Sequence, residues 1–367
     1  MALLGFGDLK DQGVHALWDL AELKRLELRD GTTFDQMLKE AQDVANAVSS
    51  EITRVPVYSS LFSVQDTPDL EYGSFTGGGI QEMTEYSVPD PYRGKTTGHM
   101  LPIQMFTRSL GWTFLALENR RRNQLEADLM VVVDDIRQHY QKKVLQQFFR
   151  MEAKLVGATS GASVPLADGG VSDPNWVPLR SPEGVEFAYT HDHYLRQATP
   201  VTQALLVAAV EHLKEHGHQE PYELLASDAD SATYIAFTGW RAPTWQGIVY
   251  MDTTSGDRAA LMNTDEYNGY IETEAGVIRV KFMQRIPTGY YGLFKDYGTG
   301  SQRSPLRMRI DPDKGFGWSM MPGKFVNDPL SLAVLRAEWD IGTGEDRTNG
   351  VLVKNFASGD YITPVIT

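Results

Sequence analysis

Apolar side chains recur at steps of three and four residues through the middle of the chain. They lie in a run of 45 residues, Trp112 to Val156, that contains neither glycine nor proline. The apolar positions are Leu125, Leu129, Val132, Ile136, Tyr140, Val144, Phe148, Met151 and Leu155. This spacing predicts one amphipathic helix about 65 Å long, with Leu145 and Phe149 widening its apolar face. Because most helices have about 11 or 12 residues, this length is typical of a structural spine.

Two other patterns precede this run. Beyond an N-terminal arm, Thr33 and Gln36 match a capping box and predict a helix that ends near Ser50. From Pro56 to Phe106, β-branched and aromatic residues are broken by glycine and proline, which predicts a two-stranded ribbon with its tip near Pro89 to Gly94. Since the ribbon carries few apolar residues of its own, we expect it to lie on a neighbouring subunit.

The last two hundred residues mix short helices and strands. A segment rich in glycine, serine and aspartate, residues 157–186, predicts a boundary. A helix is then expected to begin near Thr199, with Pro200 in its first turn, and to end at Gly217. Predicted strands are Glu223–Ala226, Tyr250–Thr253, Gly269–Thr273, Val277–Gln284, Tyr290–Phe294, Leu306–Ile310 and Val351–Asn355, with short helices at Ser231–Trp240 and Leu330–Ala337. This order predicts an α+β protein.

Composition narrows the classes of function. With 42% hydrophobic and 22% charged residues, the 367-residue chain is typical of a soluble globular protein with room for two domains. It has no cysteine, which excludes disulfides, thiolate zinc sites and cysteine nucleophiles. We find no signal peptide or membrane-spanning run and expect folding in a cytosol. The net charge of −14 argues against specific nucleic-acid binding.

Two histidine patterns are the strongest candidates for chemistry. His212, Glu215 and His216 match the H-x-x-E-H order of zinc peptidases, but they occupy the last turn of a predicted helix, where the helix dipole favours histidine. His191 and His193 flank Asp192 and could contribute metal ligands, although packing one ring and solvating the other explains them equally well.

A third pattern, Gly94-Lys95-Thr96-Thr97, resembles the end of a phosphate-binding loop. The first glycine of that motif is replaced by Pro89, which has no amide hydrogen, so a turn is the better interpretation. Taken together, these patterns predict no catalytic residue, no cofactor-binding residue, no metal ligand and no cofactor.

The order of elements resembles the major capsid proteins of tailed bacteriophages, the Hong Kong 97-like fold. The segments that carry the resemblance are Gly94 to His99 with Leu101 to Ile103, Leu110 to Thr113, Thr190 to Tyr194, Glu215 to Gly217, Arg347 to Val351 and Tyr361 to Pro364. The resemblance implies an N-terminal arm and helix (1–55), an E-loop hairpin region (56–110), a peripheral domain with the spine helix (111–186), an axial domain (187–300) and returning strands of both domains (301–367).

The resemblance also implies a function. It implies a structural protein, not an enzyme, that self-assembles as pentamers and hexamers into an icosahedral shell around double-stranded DNA, with scaffold, portal and decoration proteins as further partners. Assembly is expected in the host cytoplasm and the final location is the virion capsid. Some relatives cross-link a lysine to an asparagine; Lys95 with Asn349 or Asn355 is conceivable here, but no cross-link is predicted. The alternatives are an encapsulin-type compartment and a zinc-dependent hydrolase using H-x-x-E-H.

Overall fold

The computed structural model describes residues 56–77, 80, 94–113, 122–155, 162–242, 267–313, 315–322 and 330–367, with scattered positions between 31 and 47. The chain divides into two compact units. Unit 1 comprises Met1–Thr53, Gln104–Tyr140 and Asp313–Trp339; unit 2 comprises Arg54–Ile103, Gln141–Pro312 and Asp340–Thr367. Within the described ranges, none of the helices combines the length and hydropathy that a membrane span requires.

The described chain contains both helices and strands. The helices whose bounds lie in the described residues are α1 (Pro56–Leu61), α2 (Arg122–Phe148), α3 (Gln203–Glu215) and α4 (Ser231–Ile235). The strands are β1 (Phe62–Gln65), β2 (Asp69–Ser74), β3 (Lys95–Met100), β4 (Gln104–Thr113), β5 (Lys154–Leu155), β6 (Ala162–Ser163), β7 (Tyr194–Gln197), β8 (Tyr222–Ser227), β9 (Trp240–Arg241), β10 (Gly269–Thr273), β11 (Gly276–Met283), β12 (Tyr290–Lys295), β13 (Leu306–Ile310), β14 (Ser319–Pro322), β15 (Leu330–Thr343) and β16 (Val351–Asn355).

Within the part of the run that the structure describes, the predicted spine helix is shorter than expected. α2 has 27 residues, which corresponds to about 40 Å. Before it, all ten residues of β4 pair with β15, and after it β5 pairs with β6. A run without helix breakers permits a helix but does not require one, and strand pairing decides the conformation of Trp112–Thr113 and of Lys154–Leu155.

The apolar stripe of α2 follows the predicted spacing. Its buried members are Val132, Ile136, Tyr140, Val144 and Phe148. Leu145 and Phe149 are also fully buried, which confirms that the apolar face widens near the C-terminal end. Met151 and Leu155 lie beyond the helix, because it ends at Phe148.

In unit 1, β15 pairs antiparallel with both β14 and β4. The prediction of a short helix at Leu330–Ala337 is wrong, since these residues begin β15. Leu335, Ala337 and Trp339 are buried at alternate positions, which is the period of a strand rather than of a helix. Trp339 stacks on Tyr140 with ring centroids 4.3 Å apart and an interplanar angle of 5°, at the centre of an aromatic core.

The largest sheet belongs to unit 2. Its seven strands lie in the order β7, β16, β12, β8, β11, β10, β9. The β7–β16 and β8–β11 pairs are parallel, and the other four pairs are antiparallel. α3 contributes apolar side chains to the core of this sheet: Leu206, Ala209, Val210 and Leu213. The fold is therefore mixed α and β, with the sheet and α3 forming the main core of unit 2.

Most predicted strands of unit 2 are confirmed. The bounds of β10, β13 and β16 are those predicted, and those of β8, β11 and β12 agree within a residue or two. α4 is shorter than its predicted counterpart, because residues 240–241 pair as β9. The strand predicted at Tyr250–Thr253 lies outside the described residues.

The predicted start of α3 is wrong, whereas its predicted end and the capping box near the N-terminus are confirmed. Thr202, not Thr199, caps α3, since its hydroxyl oxygen accepts a hydrogen bond from the amide of Leu205. Gly217, with φ of 79°, terminates the helix as predicted. The capping box near the N-terminus is confirmed, because the Thr33 amide donates to Gln36 Oε1 and the Gln36 amide donates to Thr33 Oγ1. The N-terminal arm and the helix end near Ser50 lie outside the described residues.

Candidate functional site

β2 and β3 form an antiparallel ribbon that confirms the inner part of the one predicted over Pro56 to Phe106. The outer parts of that prediction are wrong, because α1 is helical, β1 pairs with β13 and β4 pairs with β15. The register runs from Asp69 opposite Met100 to Ser74 opposite Lys95. Residues of β2 alternate between exposed and buried, and Leu70 and Tyr72 are among the buried ones. The described base of the ribbon therefore packs within its own unit. The distal part, for which a neighbouring subunit is expected, falls mostly in residues 81–93, outside the described chain.

A buried arginine fixes the base of this ribbon. Arg347 is 1% exposed, and its Cζ lies 4.2 Å from the ring centroid of Trp176 and 5.6 Å from that of Tyr72. Its guanidinium donates to the carbonyls of Pro165 and Leu166 and to Asp173 Oδ2. Because a planar guanidinium has five donors and two faces, this one side chain connects β2, the loop after β6 and the segment before β16.

His99 lies on β3, the other strand of the ribbon. Its ring contacts Tyr72, which also lies against Arg347. Its Nδ1 is 3.3 Å from the Tyr72 hydroxyl. Burial, with a further contribution from the Arg347 charge, lowers the pKa of His99 to about 4. The ring is therefore neutral at physiological pH.

Lys95 opens β3 and does not belong to a phosphate-binding loop. In that motif the lysine precedes a helix whose N-terminus helps to bind phosphate, whereas here a strand follows. Lys95 Nζ donates to the carbonyl of Asn175 at 2.9 Å. Its role at this position is to connect the ribbon to a neighbouring loop.

Both asparagines considered as cross-link partners are buried. The Asn349 side chain accepts from the Lys295 amide and donates to the carbonyls of Lys295 and Arg303. Asn355 is 5% exposed at the end of β16. Each side chain is therefore buried within unit 2.

The two histidine patterns, separate in sequence, meet in space. His191 and His193 precede β7, and His216 caps the end of α3. The Nε2 atom of His216 lies 2.9 Å from Nε2 of His191 and 3.1 Å from Nε2 of His193. His193 is fully buried, and its Nδ1 lies 2.7 Å from the carbonyl oxygen of Gly350. We refer to His191, His193 and His216 as the histidine cluster.

The environment of the histidine cluster opposes a proton charge on any of its rings. Burial first, and neighbouring histidines second, lower the pKa of His191 to about 4 and that of His216 to about 3. The pKa of His193 is lowered well below 6.5 for the same reasons. Three neutral imidazoles therefore point their nitrogen atoms at one another.

The H-x-x-E-H interpretation of α3 requires His212 and His216 to bind one ion. Among the described residues, the groups with ligand atoms within 4.8 Å of one another are the histidine cluster and a set of His191, His212 and Glu215. His212 and His216 fall in different groups. The geometry thus counts against a zinc peptidase, and the contact that the sequence could not show is the one between His216 and the 191–193 segment.

Comparison with known proteins places the fold. No protein family model matches the chain, and no curated protein matches it by sequence. Among solved structures, the chain is similar to one of Mycobacterium phage Patience, with a TM-score of 0.64, 18% identity and coverage of 92% of this chain and 93% of that chain. It is also similar to a chain of the cyanophage A-1(L) capsid asymmetric unit, with a TM-score of 0.50, 10% identity and coverage of 84% and 94%.

These matches extend over most of both chains. The protein therefore has the fold of phage capsid chains, and the resemblance seen in the sequence is confirmed at the level of fold.

Proposed function

We propose that this chain is the major capsid protein of a tailed bacteriophage, a structural protein that assembles with copies of itself into a closed icosahedral shell. The observation that carries the proposal is the fold shared with the phage Patience chain over nearly the full length of both. A match over a whole chain, rather than over one domain, supports a similar use of the whole subunit.

The elements have assignments within this proposal. We assign the β2–β3 ribbon to the E-loop, α2 to the spine helix of the peripheral domain, and the seven-stranded sheet with α3 to the axial domain. We assign the first 55 residues to the N-terminal arm and helix. Each of these elements would contact a different surface of a neighbouring subunit, and such heterologous contacts close into pentamers and hexamers.

The charge of the chain suits a container for DNA. A net charge of −14 leaves little attraction for phosphate backbones. We propose that the shell encloses double-stranded DNA without specific binding, since strong phosphate contacts would hold a genome that must leave. Scaffold, portal and decoration proteins are the further partners, with assembly in the host cytoplasm before maturation to the virion.

Electron microscopy tests the assembly directly. The purified chain, expressed alone and with a candidate scaffold, is imaged by negative stain and sized by light scattering. We expect capsomer rings or closed shells. A strictly monomeric protein under both conditions would contradict the proposal.

A filter-binding assay with duplex DNA tests the role toward the genome. We expect weak binding that changes little between low and moderate salt. Tight binding with a steep salt dependence would show that the interior is a DNA-binding surface.

A further inference from the structure

Five of the eight histidines of the chain lie between residues 191 and 218, and three of them form the histidine cluster. In unit 2, the Nε2 atom of His216 lies 2.9 Å from that of His191 and 3.1 Å from that of His193. Packing of neutral rings alone does not require their nitrogen atoms to lie this close together. Neutral imidazole usually satisfies one nitrogen as a donor and the other as an acceptor, so the position of each proton can be worked out.

The proton on His193 is fixed by its backbone partner. The carbonyl oxygen of Gly350 can only accept, so His193 Nδ1, 2.7 Å away, carries the hydrogen. His193 Nε2 is then a bare lone pair directed at His216 Nε2.

His216 cannot satisfy both neighbours with protons alone. If its Nε2 carries a hydrogen, that single hydrogen has to serve both His191 and His193. If it carries none, its lone pair faces the lone pair of His193 at 3.1 Å. A cation at the centre of the three nitrogens removes the conflict, because all three then act as lone-pair ligands.

The separations are close to those that a metal ion imposes. Zinc binds imidazole nitrogen at about 2.0–2.1 Å in tetrahedral geometry, which places ligand nitrogens about 3.3–3.4 Å apart. The nitrogen separations of 2.9 and 3.1 Å differ from this by a few tenths of an ångström. Small rotations of the rings would therefore accommodate the ion.

Backbone contacts hold the ligands in place. The His193 amide donates to Ala167, and its carbonyl accepts from Leu352. The His216 amide is bonded to the last turn of α3. The Gly350 carbonyl orients the His193 ring in the way that outer hydrogen-bond partners orient metal-binding histidines.

We propose that His191, His193 and His216 bind one divalent transition-metal ion, Zn²⁺ foremost, through their Nε2 atoms. Neutral imidazole is a preferred ligand of zinc, and three histidines leave a fourth position for water. His212, whose Nδ1 is buried and has no hydrogen-bond partner, lies beside the histidine cluster, with its ring centroid 5.9 Å from that of His191 and 6.2 Å from that of His193. This assignment reverses the expectation from sequence that the chain has no metal ligand.

The ion would have a structural effect. It would join the segment before β7 to the C-terminal end of α3, two parts of unit 2 that are also connected by ring contacts of Phe187 and of His212. The proposal does not depend on the proposed shell function, because it can be tested on unassembled subunits.

Metal binding is measured on full-length protein without a histidine tag, stripped with a chelator and then titrated with Zn²⁺ by calorimetry. We expect one ion per chain and, by X-ray absorption, a first shell of nitrogen and oxygen at about 2.0–2.1 Å with imidazole scattering. Absence of stoichiometric binding would overturn the proposal.

Variants identify the ligands. His191 is only half-buried, so His191→Ala should fold. It should lower zinc affinity by about 100-fold, which is the upper end of the losses seen when a residue that only hydrogen-bonds to a metal ligand is removed. His193→Gln and His216→Gln should do the same. Circular dichroism establishes that each variant tested is folded.

His218→Gln is the matched control. It lies two residues from His216, but its ring nitrogens face the hydroxyls of Tyr297 and Thr348. Its zinc affinity should equal that of the unmodified chain. Unchanged affinity in folded His191→Ala, or equal losses in His191→Ala and His218→Gln, would show that the ion is bound elsewhere.

Discussion

The guanidinium carbon of Arg347 lies 4.2 Å from the centre of the Trp176 ring, and the same guanidinium contacts Asp173 Oδ2 at 3.3 Å. Trp176 in turn donates from Nε1 to the carbonyl of Gly73 in β2. These contacts form a continuous connection from the segment before β16 to the ribbon. The base of the ribbon is therefore held by one buried cation and an aromatic ring.

Replacement of Arg347 should destabilise unit 2. Arg347→Met should lower the free energy of unfolding by about 3 kcal/mol, because Asp173 and two carbonyls lose a buried charged donor. Arg347→Lys should recover part of this, since lysine keeps the charge but not the planar fork. Urea unfolding of unassembled subunits measures both.

Arg303→Met provides the comparison for that experiment. Arg303 pairs with Asp346 at 3.1 Å, but its side chain is 47% exposed. We expect a loss of about 1 kcal/mol or less. Equal losses in Arg303→Met and Arg347→Met would contradict the special role of Arg347.

Acid should weaken the folded state through His99. Its pKa is about 4 in the folded protein and 6.5 when unperturbed, so between these values the unfolded chain binds a proton that the folded chain does not. Stability contributed by neutral His99 is therefore lost as pH falls from 6.5 towards 4.

The comparison of unmodified protein with His99→Gln isolates this effect from that of the other histidines. As pH falls from 6.5 towards 4, the free energy of unfolding of the unmodified protein should decrease relative to that of His99→Gln. The expected decrease is up to about 1.4 kcal/mol per pH unit. A difference that stays constant with pH would mean that His99 titrates normally.

Gly292 of β12 should not tolerate a side chain. A Cβ there would lie 2.6 Å from Phe148 Cε1 and 2.9 Å from Leu352 Cδ2. Gly292→Ala should therefore cost about 1–3 kcal/mol through overpacking.

Gly73 of β2 offers the matched substitution. Its Cβ would meet Leu179 Cδ2 at 3.5 Å, an ordinary contact, so Gly73→Ala should be neutral within about 1 kcal/mol. Thermal unfolding of both variants measures the contrast. A Gly292→Ala variant as stable as Gly73→Ala would show that the strand can shift away from Phe148.

Removing the distal ribbon should separate folding from assembly. Residues 78–93 join the paired strands β2 and β3, and a short glycine-serine loop can replace them. Because Leu70 and Tyr72 remain, we expect subunits with normal unfolding but no shells in electron micrographs. Robust shells from this variant would show that the ribbon does not secure subunit contacts.

The sequence predicts elements well where local pattern and final packing agree. The stripe from Val132 to Phe148 and strands such as β10 and β13 have the expected spacing. The sequence predicts no part of β15 as a strand, and it predicts only Gln104–Phe106 of β4 as extended chain. The reason is the same for both: each is a strand because it pairs with the other. The alternation of Leu335, Ala337 and Trp339 was the available signal for β15.

Side-chain clusters were harder to predict. The sequence marks Arg347 only as part of Arg347 to Val351, one of the segments that carry the resemblance to capsid proteins. Nothing in the sequence shows that Tyr72 and Trp176 surround it. Likewise, the H-x-x-E-H pattern pairs His216 with His212, one helical turn away. In the structure the close neighbours of His216 are His191 and His193. Distances along a helix are encoded locally, but contacts between distant segments depend on the whole fold.

The three hydrogen bonds of the Asn349 side chain have a consequence for the proposed shell. An amide engaged with two backbone carbonyls and one backbone amide cannot be reached by a lysine of another subunit without opening unit 2. Shells built from this chain should therefore contain no isopeptide bond at Asn349. Boiled in detergent, they should give a single 41.0 kDa band on a gel, and a ladder of multiples linked through Asn349 would contradict this.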